Sequence, residues 1–114
     1  FTPFYNHMEV SIYDTINSDL AINQEDGVKV FEAISSIIPS ELTISFINVR
    51  RISSAFLNEC IGLYTQKYSS SIDAIKFIYP TDNSMFQHKV EDVIENALMG
   101  DAYDTLVDNA LLSL

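Results

Sequence analysis

The chain has 114 residues, 47% hydrophobic and 19% charged, with only three Gly and three Pro, which suits one globular domain and excludes a linker-rich or disordered chain. At this length roughly two-thirds of the unfolded surface can be buried, enough for a core without staples. Six Lys+Arg against sixteen Asp+Glu give a net charge of −10, so phosphate backbones and anionic membranes are repelled, and neither nucleic acid nor a membrane is an expected partner.

Residues 1–7, FTPFYNH, precede Met8 and read as a leader left from expression or as a frayed start, leaving 8–114 as the single domain. MEVSIYDTI then alternates Val10, Ile12 and Ile16 with polar neighbours and predicts a first strand. A turn-rich NSDL follows. Asn23 ahead of Glu25 and Asp26 marks a helix start, since first-turn acids suit the positive end of the helix dipole. Val30, Phe31, Ile34, Ile37 and Ile38 supply its apolar face, and Pro39 is the expected stop.

Leu42 to Val49, LTISFINV, carries no charge and is rich in β-branched and aromatic residues, the composition of a central strand covered on both faces. Arg50 and Arg51 interrupt it. Ser53 or Ser54 then caps a second helix with the stripe Phe56, Leu57, Cys60, Ile61 and Tyr64. A polar loop at Ser69 to Ser71 leads to a third strand, Ala74 to Tyr79, stopped by Pro80 and Asp82. Asn83 or Ser84 caps a third helix with Phe86, Val90, Val93, Ile94, Ala97 and Leu98 buried, and Gly100 is expected to end it. Residues 101–114 read as a fourth helix with the stripe Tyr103, Leu106, Val107, Ala110, Leu111 and Leu114. The alternating order predicts an α/β fold: about four mostly parallel strands, Leu42–Val49 central, with amphipathic helices packed on the sheet. The tail's stripe needs covering, either by its own domain, as a monomer, or by a second copy, as a homodimer.

No site chemistry accompanies this pattern. Three scattered Gly, at 27, 62 and 100, cannot build a phosphate-cradling loop, and no nucleotide, zinc or nucleophile-elbow motif occurs. Cys60 lies on an apolar stripe and reads as a buried inert thiol, and His88 as a solvated helix residue. A lone cysteine also precludes an internal disulfide. No apolar stretch reaches the roughly 18 residues of a membrane span, and the expectation is a cytoplasmic protein with no cofactor, no metal and no enzymatic activity.

The informative segment is ISFINVRRISSAFLNECIGLY, Ile44 to Tyr64. A strand leaves the sheet, turns through Arg50 to Ser53 and starts a helix at Ser53–Ser54. Free N–H groups and the dipole's positive end meet two arginines there, so an anion, including a phosphate on a serine, is stabilised. Read alone, an ordinary serine cap accounts for the same pattern.

Together with EDGVKVFEAI (Glu25 to Ile34), this segment resembles the STAS superfamily of sulfate-transporter and anti-sigma-factor-antagonist domains. It is most similar to the bacterial STAS-like domain of unknown function. The resemblance rests on an acidic-Gly helix start, an aromatic-containing strand, a Ser-Ser pair followed by a small residue and Phe, and Asn58-Glu59 one turn on. It implies a non-enzymatic signalling module that binds a protein partner, such as a histidine-kinase-like ATPase, through Arg50, Arg51, Ser53, Ala55, Phe56, Asn58 and Glu59. In the antagonists a kinase-like anti-sigma factor phosphorylates the first Ser of an Asp-Ser-Ser-Gly motif that opens this helix, a position that falls on Ser54. Here Ser53 replaces the Asp, Ala55 the second Ser, and the bulky Phe56 the Gly. The alternative is an acidic decoy that mimics nucleic acid and blocks a basic nucleic-acid-binding protein, presenting Glu91, Asp92, Glu95, Asp101, Asp104 and Asp108.

Overall fold

The computed structural model describes residues 7–81 and 84–112, with side chains up to Gly100. β1 (Met8–Ser11), β3 (Leu42–Ser45) and β5 (Lys76–Ile78) form a parallel three-stranded sheet in the order β1-β3-β5. β2 (Leu20–Ala21) and β4 (Arg51–Ile52) pair in parallel as a separate two-stranded unit. The α/β class and the central place of Leu42 onward hold. Among the described residues the parallel strands fall into two units, of three and of two strands.

Register explains how the core is built. Val10, Ile44 and Phe77 stand side by side and, because side chains alternate along a strand, share one face with Leu42 and Phe46. α2 (Gln24–Ile34), the helical residues 54–67 and α5 (Ser84–Leu112) pack against one another over that face. The opposite face carries Glu9, Thr43 and Lys76 in one row and Ser11, Ser45 and Ile78 in the next. On that face Thr43 and Ser45 are both buried, and each has a partner. His7 Nε2 lies 2.7 Å from Thr43 Oγ1, and Ser45 Oγ accepts from the Ile47 N–H at 3.3 Å.

Several boundaries differ from the sequence reading, each for a local reason. β1 stops at Ser11, whose hydroxyl accepts from the Asp14 N–H at 3.1 Å and so caps α1 (Ile12–Ile16); the apparent strand alternation is half helix. NSDL is more than a turn: Asn17, at φ 55°, ends α1, and Leu20 then joins β2. α2 ends at Ile34, five residues before Pro39, so Ile38 is exposed and Pro39 opens a 3₁₀ turn, Pro39–Glu41. The earlier stop is possible because the carbonyls beyond it find donors elsewhere: Tyr68 Oη and Lys67 Nζ each donate to Ser35 O at 2.7 Å, and Tyr64 Oη donates to Ile37 O at 2.5 Å.

β3 is four residues long, where the apolar run LTISFINV suggests eight. Asn48, at φ 70°, turns the chain left-handed, and the Val49 N–H returns to Phe46 O at 3.0 Å. Ile47, at the tip of that turn, is exposed. The expected loop at 69–71 is a 3₁₀ helix, Ser69–Ala74, and β5 is the trimmed core of Ala74–Tyr79. Gly100 does not end a helix. α5 runs unbroken through it for 29 residues. No glycine has positive φ, and a Cβ at Gly100 would meet nothing within 4 Å, so the residue weakens the helix by about 1 kcal/mol without supplying a left-handed cap. The proposed fourth helix is thus the end of α5, while the covering of its stripe lies outside the described side chains, as does the Asn83 cap.

Candidate functional site

The turn Arg50–Ser54 is held from beneath by the small β2–β4 unit. Asp19 O accepts from the Arg50 and Arg51 N–H groups at 2.7 and 3.3 Å, and Ala21 O accepts from the Ser53 N–H at 3.0 Å. Asp19 Oδ2 also lies 3.4 Å from Arg50 Nε, a largely exposed pair. The two neighbouring serines then take opposite roles. Ser53 is the N-cap: its Oγ accepts from the Phe56 N–H at 3.0 Å and donates to Ile22 O at 2.8 Å. Ser54 is exposed on the first helical residue, and among the described residues its hydroxyl has no hydrogen-bond partner. Of the two candidates, Ser53 does the capping.

Residues 54–67 form one helical run: α3 (Ser54–Leu57), a π segment (Asn58–Gly62) and α4 (Leu63–Lys67). α2 crosses it at Gly27. A Cβ there would lie 2.6 Å from Phe56 O and 2.8 Å from Glu59 Cβ, so only glycine permits this approach. The acidic-Gly helix start noted in the sequence therefore has a packing reason. The crossing brings the first turn of α2 beside the start of α3, and Ile22, Asn23, Gln24, Glu25 and Ala55 line an open concavity next to Ser54.

The sequence-expected partner residues separate accordingly. Arg50, Arg51, Ala55 and Asn58 are exposed around Ser54; Glu59 is half-buried against α2. Phe56 is a correction: it is fully buried in the core and presents no surface to a partner. For the same reason its bulk does not obstruct the turn. Cys60 is buried, and desolvation pushes its thiol up to about 12, leaving it unreactive at neutral pH. Among the described residues, no group of three His, Cys, Asp or Glu is placed to hold a metal, and no helix is long and apolar enough to cross a membrane.

One residue escaped the sequence reading. Lys89, on the first turns of α5, donates from Nζ to Ile52 O at 3.3 Å, which places its charge at the same turn. Arg50, Arg51 and Lys89, half of the chain's six basic residues in a protein of charge −10, thus belong to or contact the segment from Arg50 to Ser54. Only the fold reveals this, because 37 residues separate Lys89 from Ile52.

A parallel sheet with helices packed over one face, and a strand–turn–helix unit that shows one serine and uses the other as a cap, define a small α/β domain of the STAS type. Residues 26–85, more than half of the chain, match the STAS-like domain of unknown function (DUF4325), and the chain belongs to that family. The matched stretch holds the Gly27 crossing, β3 and the whole Arg50–Tyr64 segment. Comparison with curated proteins and with solved structures found no match.

Proposed function

We propose that the chain is a non-catalytic regulatory module that binds a kinase-like ATPase through the Ser54 turn and the exposed residues beside it, with Ser54 as a phosphorylated switch. The observation that carries this reading is the division of labour between the serines. The Ser53 hydroxyl is hydrogen-bonded twice, while Ser54, between Arg51 and Ala55 in the chain, is exposed and its hydroxyl has no hydrogen-bond partner among the described residues. In the step envisaged, Ser54 Oγ attacks the γ-phosphorus of a nucleoside triphosphate held by the ATPase. The new O–P bond forms as the bond to the diphosphate leaving group breaks, and the hydroxyl proton passes to a base on the ATPase. The product carries about two negative charges where the free domain has a neutral hydroxyl. Those charges, held against the binding surface, release the partner by repulsion and desolvation without unfolding the domain.

The test uses the ATPase that co-purifies with the chain from its host. Affinity is compared for the wild type, Ser54→Ala and Ser54→Asp, and the chain is assayed for phosphate at residue 54 after incubation with ATP. Tight binding by wild type and Ser54→Ala, weak binding by Ser54→Asp and phosphate on Ser54 are expected. Equal affinity in all three proteins reduces Ser54 to an ordinary helix residue.

A further inference from the structure

We infer that Lys89 is the residue that holds a phosphoryl group on Ser54, moving its ammonium from the Ile52 carbonyl to the phosphate. This rests on Ser54 being the modified serine. Lys89 reaches across from α5 to a carbonyl two residues before Ser54, at 3.3 Å. The contact is a cation on a neutral acceptor. A phosphate dianion is a far stronger acceptor for an ammonium than a carbonyl, because the hydrogen bond then joins two opposite charges.

The surrounding charges favour Lys89 over the other cations. Arg50 is already paired with Asp19, and Lys29, on α2, with Asp26 at 3.5 Å. Among the described residues neither Arg51 nor Lys89 has a carboxylate partner. Arg51 is exposed on β4, whereas Lys89 is half-buried and already anchored to the turn, so less side-chain freedom is lost when it closes on a phosphate. Asp19 at the turn, Glu25, Asp26 and Glu32 on α2, Glu59 on the π segment and Glu91, Asp92 and Glu95 on α5 are acids of the neighbouring elements. They oppose a dianion at Ser54, which makes a dedicated cation more necessary. Phosphorylation would also detach Lys89 from β4, loosening the tie between α5 and the turn at the moment the partner is released.

The contact has a signature that a purely structural lysine would lack. A cation against the phosphate favours the dianion, so the second ionisation of phosphoserine falls below its usual value of about 6. The full chain is produced with phosphoserine encoded at position 54, and its ³¹P shift is followed against pH. Lys89→Gln should raise that midpoint by roughly half a unit, as expected for a partly exposed ion pair. Lys89→Arg should restore the lowered value, and Lys67→Gln should leave it unchanged. Circular dichroism of each variant establishes that it is folded. The same midpoint in the wild type and Lys89→Gln would overturn the inference. The reading of Ser54 as a switch fails separately, if the phosphorylated chain binds the ATPase as tightly as the unmodified one.

Discussion

The helical run 54–67 is fastened at one end and displays itself at the other. At its carboxyl end Tyr64, Lys67 and Tyr68 donate to the carbonyls of Ser35 and Ile37, tying the run to the end of α2, and Tyr64 and Tyr68 lie with ring centroids 4.7 Å apart. At its amino end one hydroxyl, that of Ser53, does the fastening, and the next three outward-facing positions, Ser54, Ala55 and Asn58, are exposed. Between the two ends, Gly27 of α2 touches the backbone at Phe56. The buried packing of this run therefore begins at Phe56, and the exposed positions Ser54 and Ala55 just ahead of it are free to serve recognition. This is the arrangement a switch needs, because a modification at Ser54 alters the surface without reaching the core.

Single substitutions can break that contrast. The largest effect is expected at Phe56, which is fully buried although it stands two residues from an exposed serine. Phe56→Ala should lower the unfolding free energy by about 3–5 kcal/mol, from lost transfer energy and the cavity left behind. Urea denaturation reads this directly; a loss below about 1 kcal/mol would mean that the core does not begin there. Gly27→Ala comes next. Its methyl group would press on Phe56 O, a backbone atom that cannot rotate away, so α2 must shift at a loss of about 1–3 kcal/mol. Had Gly27 been an ordinary helix glycine, the same change would stabilise by about 1 kcal/mol, so the sign of the change decides the matter.

The two ends can then be compared like for like. Tyr68→Phe removes one hydroxyl from the carboxyl end, and Ser53→Ala one from the amino end. Each should lower stability by about 1 kcal/mol, the first by losing a hydrogen bond to Ser35 O and the second by losing the cap on Phe56 N and the tie to Ile22 O. Hydrogen exchange separates them: Tyr68→Phe should speed exchange around residues 35–37, Ser53→Ala around residues 54–57.

How much of this was legible in the sequence depends on how local each signal is. The stripe Phe56, Leu57, Cys60, Ile61 and Tyr64 is repeated at three-and-four spacing, and all five residues are buried. The π segment at Asn58–Gly62 leaves that stripe readable. The short β2–β4 pair was not legible, since two-residue strands have no alternation to detect and their pairing joins Leu20 to Arg51 across the chain. Asn48 was hidden inside an apolar run, although asparagine tolerates the left-handed conformation that ends β3. In the site, the Ser-Ser pair was visible but not which serine caps. That depends on whether the residue before the helix can reach Phe56 N and Ile22 O together, a three-dimensional question. Lys89 was invisible for the same reason.

The smallest expected effect is the most discriminating. Ser54→Ala should change the unfolding free energy by less than about 0.5 kcal/mol, the range for an exposed substitution that removes no cap. Alanine is the better helix former, and the Ser54 hydroxyl has no partner among the described residues, so any small change should be stabilising. Ser53→Ala, one position earlier and chemically identical, serves as the internal reference. If Ser54→Ala instead costs as much as Ser53→Ala, the two hydroxyls share the capping role. The free serine on which the regulatory reading depends would then not exist. If the cost is confined to Ser53, the amino end of the run carries one serine that holds the fold and one available for modification, and a loss of partner binding in Ser54→Asp can be attributed to charge instead of to unfolding.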